Sequence, residues 1–179
     1  NPTAGFEALR LTEVMYHPAE PPPGGLYPSV DFEFLEFQNT GETPLQLGGV
    51  QLAGAVTMSF AGGAVVAPGG YVVVARDLDA FEARYGSTLD ALGPYEGKLS
   101  NGGETLQLII GGQVVSSWTY DDAPGWPHLA DGLGCSLQLV DPLAEPELLE
   151  SWRASEELHG NPGWAGGSTP PGPVINEVA

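Results

Sequence analysis

Asp121, Asp122 and Asp131 lie within one short stretch, YDDAPGWPHLADG (residues 120–132), with backbone carbonyls free between them. Ca²⁺ takes six to eight hard oxygen ligands, and clustered loop carboxylates are a usual way to supply them. These three are therefore candidate Ca²⁺ ligands. Their spacing matches neither an EF-hand nor a repeat-type calcium loop, and a solvated acidic loop is the plainer alternative. The histidines, His17, His128 and His159, each stand beside Pro or Gly in apparent loops. No GxSxG, HExxH or paired-cysteine motif accompanies them, so no catalytic residue and no enzyme is expected. The Gly-rich pieces SNGGE (100–104) and GWAGG (163–167) lack the Lys and the strand-to-helix setting of a phosphate loop and read as turns. Cys135 is the one cysteine, inside the apolar run GCSLQLV, which suits a buried structural thiol better than a nucleophile. Trp118, Trp126, Trp152 and Trp164 pose the choice between a sugar-stacking platform and packing beneath loops; a platform requires two exposed, roughly coplanar rings.

The charge balance narrows the partners. Five basic residues against 23 acidic ones leave a net charge of −18, which repels phosphate backbones and anionic headgroups. Nucleic acid and direct membrane insertion are not expected, and no run approaches the length of a membrane-spanning helix. The acidic excess suits divalent cations, cationic polymers or plain solubility. A chain of 179 residues is long enough to bury a core without disulfides. Its 26 Gly and 17 Pro punctuate apolar runs, as turns do. The first residue, Asn1, is the expected mark of a piece of a longer chain.

The elements that position these residues are strands. Short runs rich in Val, Leu, Ile, Phe and Tyr, bounded by Gly, Pro, Asn or Asp, predict strands near 8–16, 32–38, 49–53, 56–60, 70–76, 104–110, 113–120 and 134–140. IIGGQVV joins two of them as a two-Gly hairpin. ETLQLII and CSLQLV alternate, so one face is wet, whereas YVVVA (71–75) is continuously apolar, as for a central strand covered on both sides. Two packed sheets explain both kinds. One short helix is expected in DLDAFEARYG (77–86), with an Asp cap and Gly86 as its stop. AEPELLESWRASEEL, broken by Pro146, predicts a turn or two of helix in an extended crossover. NPGWAGGSTPPGP (161–173) turns into linker beyond Trp164.

The ordered pieces LTEVMYHP (11–18), DFEFLEFQNTGETPLQLGGVQL (31–52), GGYVVVARDLDAFEARYG (69–86), GKLSNGGETLQLI (97–109), WTYDDAPGWP (118–127), DGLGCSLQLVDP (131–142) and SWRASEELHGNPG (151–163) resemble the lamin tail domain, in the form found in bacterial secreted multidomain proteins. The resemblance implies an all-β, immunoglobulin-like β-sandwich of about eight to nine strands with one short helix near 78–85. It also implies an interaction or attachment module without catalytic residues or an obligatory cofactor. Ser116 departs from it, standing where an Asp is frequent. In the resemblance the strands of Glu13 and Glu36 are neighbours. The two carboxylates then either sit apart in solvent or are compensated by Arg10, Lys98, a shared proton or a cation.

The chain's last residues, VINEV, align with LTEV near its start: Ile175, Asn176, Glu177 and Val178 match Leu11, Thr12, Glu13 and Val14. The expected organisation is a sandwich over 1–165, a Gly/Pro linker over 166–173, and over 174–179 the first strand of a following, truncated repeat. An exposed sheet edge can accept a further strand, and Val174, Ile175 and Val178 are the expected strand-addition residues. The leading expectation is an extracellular or envelope-associated bacterial module. Its partners are neighbouring domains of the same chain, other proteins or surface polymers, with self-association through 174–179. The alternative is a Ca²⁺- or glycan-binding adhesion module.

Overall fold

The computed structural model describes residues 5–163. The expected linker, 166–173, and the expected first strand of a following repeat, 174–179, lie outside the described residues. Thirteen strands occur in chain order: β1 (Leu9–Met15), β2 (Phe34–Asn39), β3 (Leu45–Gln46), β4 (Val50–Ala53), β5 (Val56–Ser59), β6 (Val65–Val66), β7 (Tyr71–Ala75), β8 (Ala91–Leu92), β9 (Glu96–Gly97), β10 (Glu104–Ile110), β11 (Gln113–Tyr120), β12 (Leu137–Leu139) and β13 (Trp152–Ala154). One helix, α1 (Leu78–Tyr85), lies between β7 and β8. The strands form a six-stranded sheet ordered β13-β12-β1-β2-β7-β8, a five-stranded sheet ordered β11-β10-β4-β5-β9, and the small pair β3-β6.

All eight expected strands are present, and the β-sandwich is confirmed. The five additional strands, β3, β6, β8, β9 and β13, are two or three residues long, too short for an alternating pattern to mark them. The stretch expected at 134–140 contracts to 137–139 because Gly134 takes a left-handed conformation, φ 97°, ahead of the strand. The crossover expected after 144 contains a single 3-10 turn, Leu149–Ser151, before entering β13.

Alternation explains the packing. Leu9, Leu11, Val14, Leu35, Phe37, Val72, Val74, Leu137 and Leu139 point from the six-stranded sheet into a core shared with Leu52, Leu106, Leu108, Trp118 and Tyr120 of the other sheet. Burying each such side chain contributes roughly 1.5–3 kcal/mol. The β10–β11 hairpin closes through Gly111 and Gly112, both at positive φ (57° and 81°), the conformations a two-residue hairpin demands.

β7 lies between β2 and β8, as its unbroken apolar sequence predicts. Its other face, Val73 and Ala75, packs with Met15, Phe34 and Phe81 into a second small cluster beneath α1. The helix starts where the Asp77 carboxylate accepts the Ala80 N–H (2.9 Å) and ends where the Gly86 N–H donates to the Glu82 carbonyl. The six-stranded sheet is therefore apolar on both faces near β7. Its other strands leave the outer face polar, and a different element covers them.

Candidate functional site

That polar face carries the molecule's least expected chemistry. A register shift between Leu11 and Glu13 lets Leu9, Leu11 and Val14 all reach the core while Glu13 points outward. On β2 plain alternation sends Leu35 and Phe37 inward and Glu36 outward. Pairing places Glu13 directly opposite Glu36 on one side and Gln138 on the other. The row continues with Arg153 opposite Gln138 and Val73 opposite Glu36.

Two like charges directly opposite destabilise a sheet, which is why solvent was one expected home for this pair. The structure corrects that expectation: Glu13 is 1% exposed and Glu36 is 2% exposed. Residues 155–163 (SEELHGNPG) cross the face as a strap and hold its hydrogen bonds. Glu13 Oε1 accepts the Ser136 hydroxyl and the Asn161 N–H (3.0 Å). Glu36 Oε1 accepts the Thr12 hydroxyl, and Oε2 accepts the Gly163 N–H. The Gln138 amide N–H donates to Asn161 Oδ1.

Neither basic residue named in the sequence reading pairs with these carboxylates. The Arg10 guanidinium donates to the carbonyls of Pro142 (3.1 Å) and Ala144 (2.6 Å), and among the described residues no ion pair involves Lys98. The donors are neutral, so burial governs the titration. Loss of solvation holds Glu13 above the ordinary carboxylate range, and burial together with the Glu13 charge does the same for Glu36. The pair keeps a proton at a pH where exposed carboxyls have lost theirs.

The strap is anchored along its length. Ser155 and Ser136 bond reciprocally, the Ser155 N–H to the Ser136 carbonyl (2.9 Å) and the Ser136 N–H to Ser155 Oγ (3.0 Å). His159 has a positive φ of 74°, unusual for a residue with a Cβ. It is held there by its N–H donating to the Gly134 carbonyl (2.6 Å) while its own carbonyl accepts the Tyr85 hydroxyl (2.6 Å). At Gly160, φ 76°, an added Cβ would overlap Glu13 Oε1 and Ser136. In the sequence GNPG stands at the end of the family-like piece SWRASEELHGNPG, with nothing to mark it as the cover of the carboxylates. The available signal was two glycines spaced around Asn-Pro, which let the backbone approach the sheet closely.

A third buried carboxylate, Glu33, accepts the Tyr95 hydroxyl (3.1 Å) and the Leu99 N–H (2.9 Å), and burial pushes its pKa up to about 7. Glu104 accepts the Ser100 N–H and the Tyr120 hydroxyl (both 2.9 Å), tying the turn after β9 to the hairpin. These are fastenings of the sandwich end. A groove of about 650 Å³ lies beside β5, where Glu96 is the one ionisable residue in its lining, so it brings no acid–base pair together.

Asp121, Asp122 and Asp131 lie near Tyr16, whose hydroxyl is pushed up first by burial and then by their charges. Their carboxylates have separate tasks. Asp121 Oδ1 accepts the N–H groups of Asp122 (2.8 Å) and Ala123 (3.0 Å) within its own turn. Asp131 Oδ1 meets His17 Nδ1 at 2.6 Å, and the Gly132 N–H donates to the His17 carbonyl. Among the described residues no three His, Cys, Asp or Glu side chains are grouped to hold a metal ion. Trp118 and Trp152 are buried, and the half-buried Trp126 packs on Trp152 with ring centroids 6.1 Å apart, so these three serve the core. Trp164 lies outside the described residues.

A family model, the Lamin Tail Domain, matches residues 2–122. The chain belongs to the lamin tail domain family. Lamin tail domains are immunoglobulin-like, non-enzymatic interaction modules, and the sandwich described above accords with that. No curated protein gives a significant match. The match stops at 122, yet β12, β13 and the strap follow it and finish the same lamin tail sheet. Apart from the Thr12 hydroxyl, the groups that cover Glu13 and Glu36 therefore come from beyond the matched residues.

The five-stranded sheet ends differently. β11 has β10 as its strand partner and forms an edge eight residues long without Lys, Pro, Asp or Glu. Among the described residues no backbone hydrogen bond outside the regular elements involves 113–120. Half of its backbone donors and acceptors therefore face outward.

Proposed function

We propose that this lamin tail domain is an attachment module of a larger extracellular or envelope-associated bacterial protein, working through surface complementarity and edge-strand contacts. Its partners are neighbouring domains of the same chain, other proteins or surface polymers. The observation that carries the reading is the contrast within one sandwich: the polar outer face of the first sheet is closed by the strap, while a long uncharged strand edge of the second is left open. Backbone groups along such an edge accept an added strand with main-chain hydrogen bonds.

Val174, Ile175 and Val178, in the segment with the sequence likeness to β1, are the donor residues, pairing with a sheet edge in the same or a neighbouring copy. Solution scattering from chains with and without residues 170–179 tests this. Loss of association on removal supports the reading, and identical association in both chains overturns it.

A further inference from the structure

We infer that residues 174–179 of one chain add as a strand to β11 of a second copy. This rests on the strand-addition reading above and names the acceptor and the partner.

Edge length makes the first selection. A six-residue donor needs a ladder of roughly 20 Å. The other sheet edges are β13, of three residues, and β8, β9, β3 and β6, of two residues each. β5 is covered by β9 at Val56 and Thr57, leaving only Met58 and Ser59 on that side. β11 has eight residues, and beyond the register shift at Val115 it runs regularly from Ser116 to Tyr120. That stretch accommodates Val174 to Val178.

Charge makes the second selection. Each copy has a net charge of −18, so two copies meet at least cost where acidic residues are absent. Gln113–Tyr120 has none; Glu7, on the 3-10 turn Phe6–Ala8, shares a groove with Gln113, Val114 and Val115, so the stretch from Ser116 to Tyr120 is the part of the edge clear of it, with Asp121 and Asp122 following its end. By contrast, Glu96 lies within β9 and Asp90 immediately precedes β8. Edges that must stay free are usually defended by Lys, Pro or an inward-pointing charge, and β11 has none of these.

Face and origin complete the case. On β11, Trp118 and Tyr120 are buried while Ser117 and Thr119 are exposed. Period-two alternation in the donor puts Val174, Asn176 and Val178 on one face and Ile175 with Glu177 on the other. Seated with the valines toward the Trp118 side, the donor lays two apolar side chains against the buried side of β11 with Asn176 between them and leaves Glu177 toward water. The last described residue, Gly163, is bonded to Glu36 on the outer face of the opposite sheet. A second copy presents the edge without the limit of reach that the ten residues 164–173 set on the chain's own tail.

The test is hydrogen exchange of the full chain over a concentration series, with sedimentation on the same samples. Ile175→Pro removes the donor without altering residues 5–163, and Ser117→Glu adds a charge at an exposed acceptor position. The expected result is at least tenfold slower exchange in the 113–120 amides as dimers or longer chains form. Both variants should abolish that protection while keeping the parent melting temperature. Protection at 152–154, 91–92 or 96–97 instead overturns β11 as acceptor while leaving tail-mediated association standing. Protection of 113–120 that is independent of concentration overturns the second copy. Association unchanged by Ile175→Pro overturns both this inference and the reading it rests on.

Discussion

The outer face of the six-stranded sheet and the β11 edge of the five-stranded sheet both present polar groups that a sandwich cannot absorb into its core, and the chain treats them in opposite ways. On the first, side-chain carboxylates point off the sheet, and residues 155–163 cover them with backbone N–H groups. On the second, the exposed polar groups belong to the backbone, and among the described residues they are left to solvent. Buried carboxylates without donors would cost several kcal/mol, so their cover is a condition of folding. An uncovered strand edge costs little in water and is open to a partner. The closed region is thus a stability element and the open one a contact element, a division that substitution can break.

The largest effect is expected at Gly160. Replacing it with Ala places a Cβ against Glu13 Oε1 and the Ser136 side chain at a backbone conformation, φ 76°, that L residues rarely adopt. The strap must then lift, leaving the carboxylates uncovered. We expect Gly160→Ala to lower unfolding stability by about 3 kcal/mol or more in urea titrations. The same change at Gly112, in the open hairpin, meets no atom within 4 Å and should cost only the strain of its positive φ, about 1 kcal/mol. Equal losses at the two glycines would dissolve the distinction between the regions.

The pH dependence comes next. Glu13, Glu36 and Glu33 all have pKa values above the ordinary carboxylate range in the folded state, Glu33 at about 7. A carboxyl that holds its proton more tightly when folded contributes most below its unfolded pKa, near 4.3, and loses that contribution as the pH rises through the folded value. Stability should therefore decline between about pH 5 and pH 8, by on the order of 1 kcal/mol per pH unit for each proton still retained. The general negative charge pushes the same way, so the decisive comparison is with Glu36→Gln. Its amide oxygen can accept the Gly163 N–H, and its N–H can donate to Thr12 Oγ1. The variant should show a shallower decline and match or exceed the parent at pH 8. A slope equal to the parent's would mean that the pair does not hold the proton.

The open region was legible in the sequence and the closed one was not, for a physical reason. Alternation in ETLQLII and the Gly-Gly turn identify β10 and β11 because hairpin pairing is local. The continuous apolar run YVVVA likewise announces a strand with both faces covered. Glu13 and Glu36 each look like a solvent-facing residue of an alternating strand, and nothing near them reports that residues 148 and 127 positions later will close over them. The cover is built from backbone N–H groups of Asn161 and Gly163, which every residue but proline possesses. A main-chain donor leaves no mark in side-chain type. The two-residue strands escaped notice for a related reason, since period two needs more than two residues to be seen.

The smallest effect concerns the acidic turn after β11, where the open region would change character if it bound cations. Asp121 is committed to the N–H groups of its own turn and Asp131 to His17, so Asp122 is the carboxylate of the three with neither engagement. A single free carboxylate in this setting falls well short of the six to eight oxygens Ca²⁺ takes. We expect millimolar Ca²⁺ to move the melting temperature by less than about 1 °C, because a ligand stabilises only in proportion to its occupancy of the folded state. The control is His17→Gln, which removes the ring bonded to Asp131 and frees that carboxylate. A parent shift of several degrees, lost in Asp122→Asn, would show that the turn rearranges to gather its carboxylates. It would then place a cation site at the end of the very strand proposed to receive a partner.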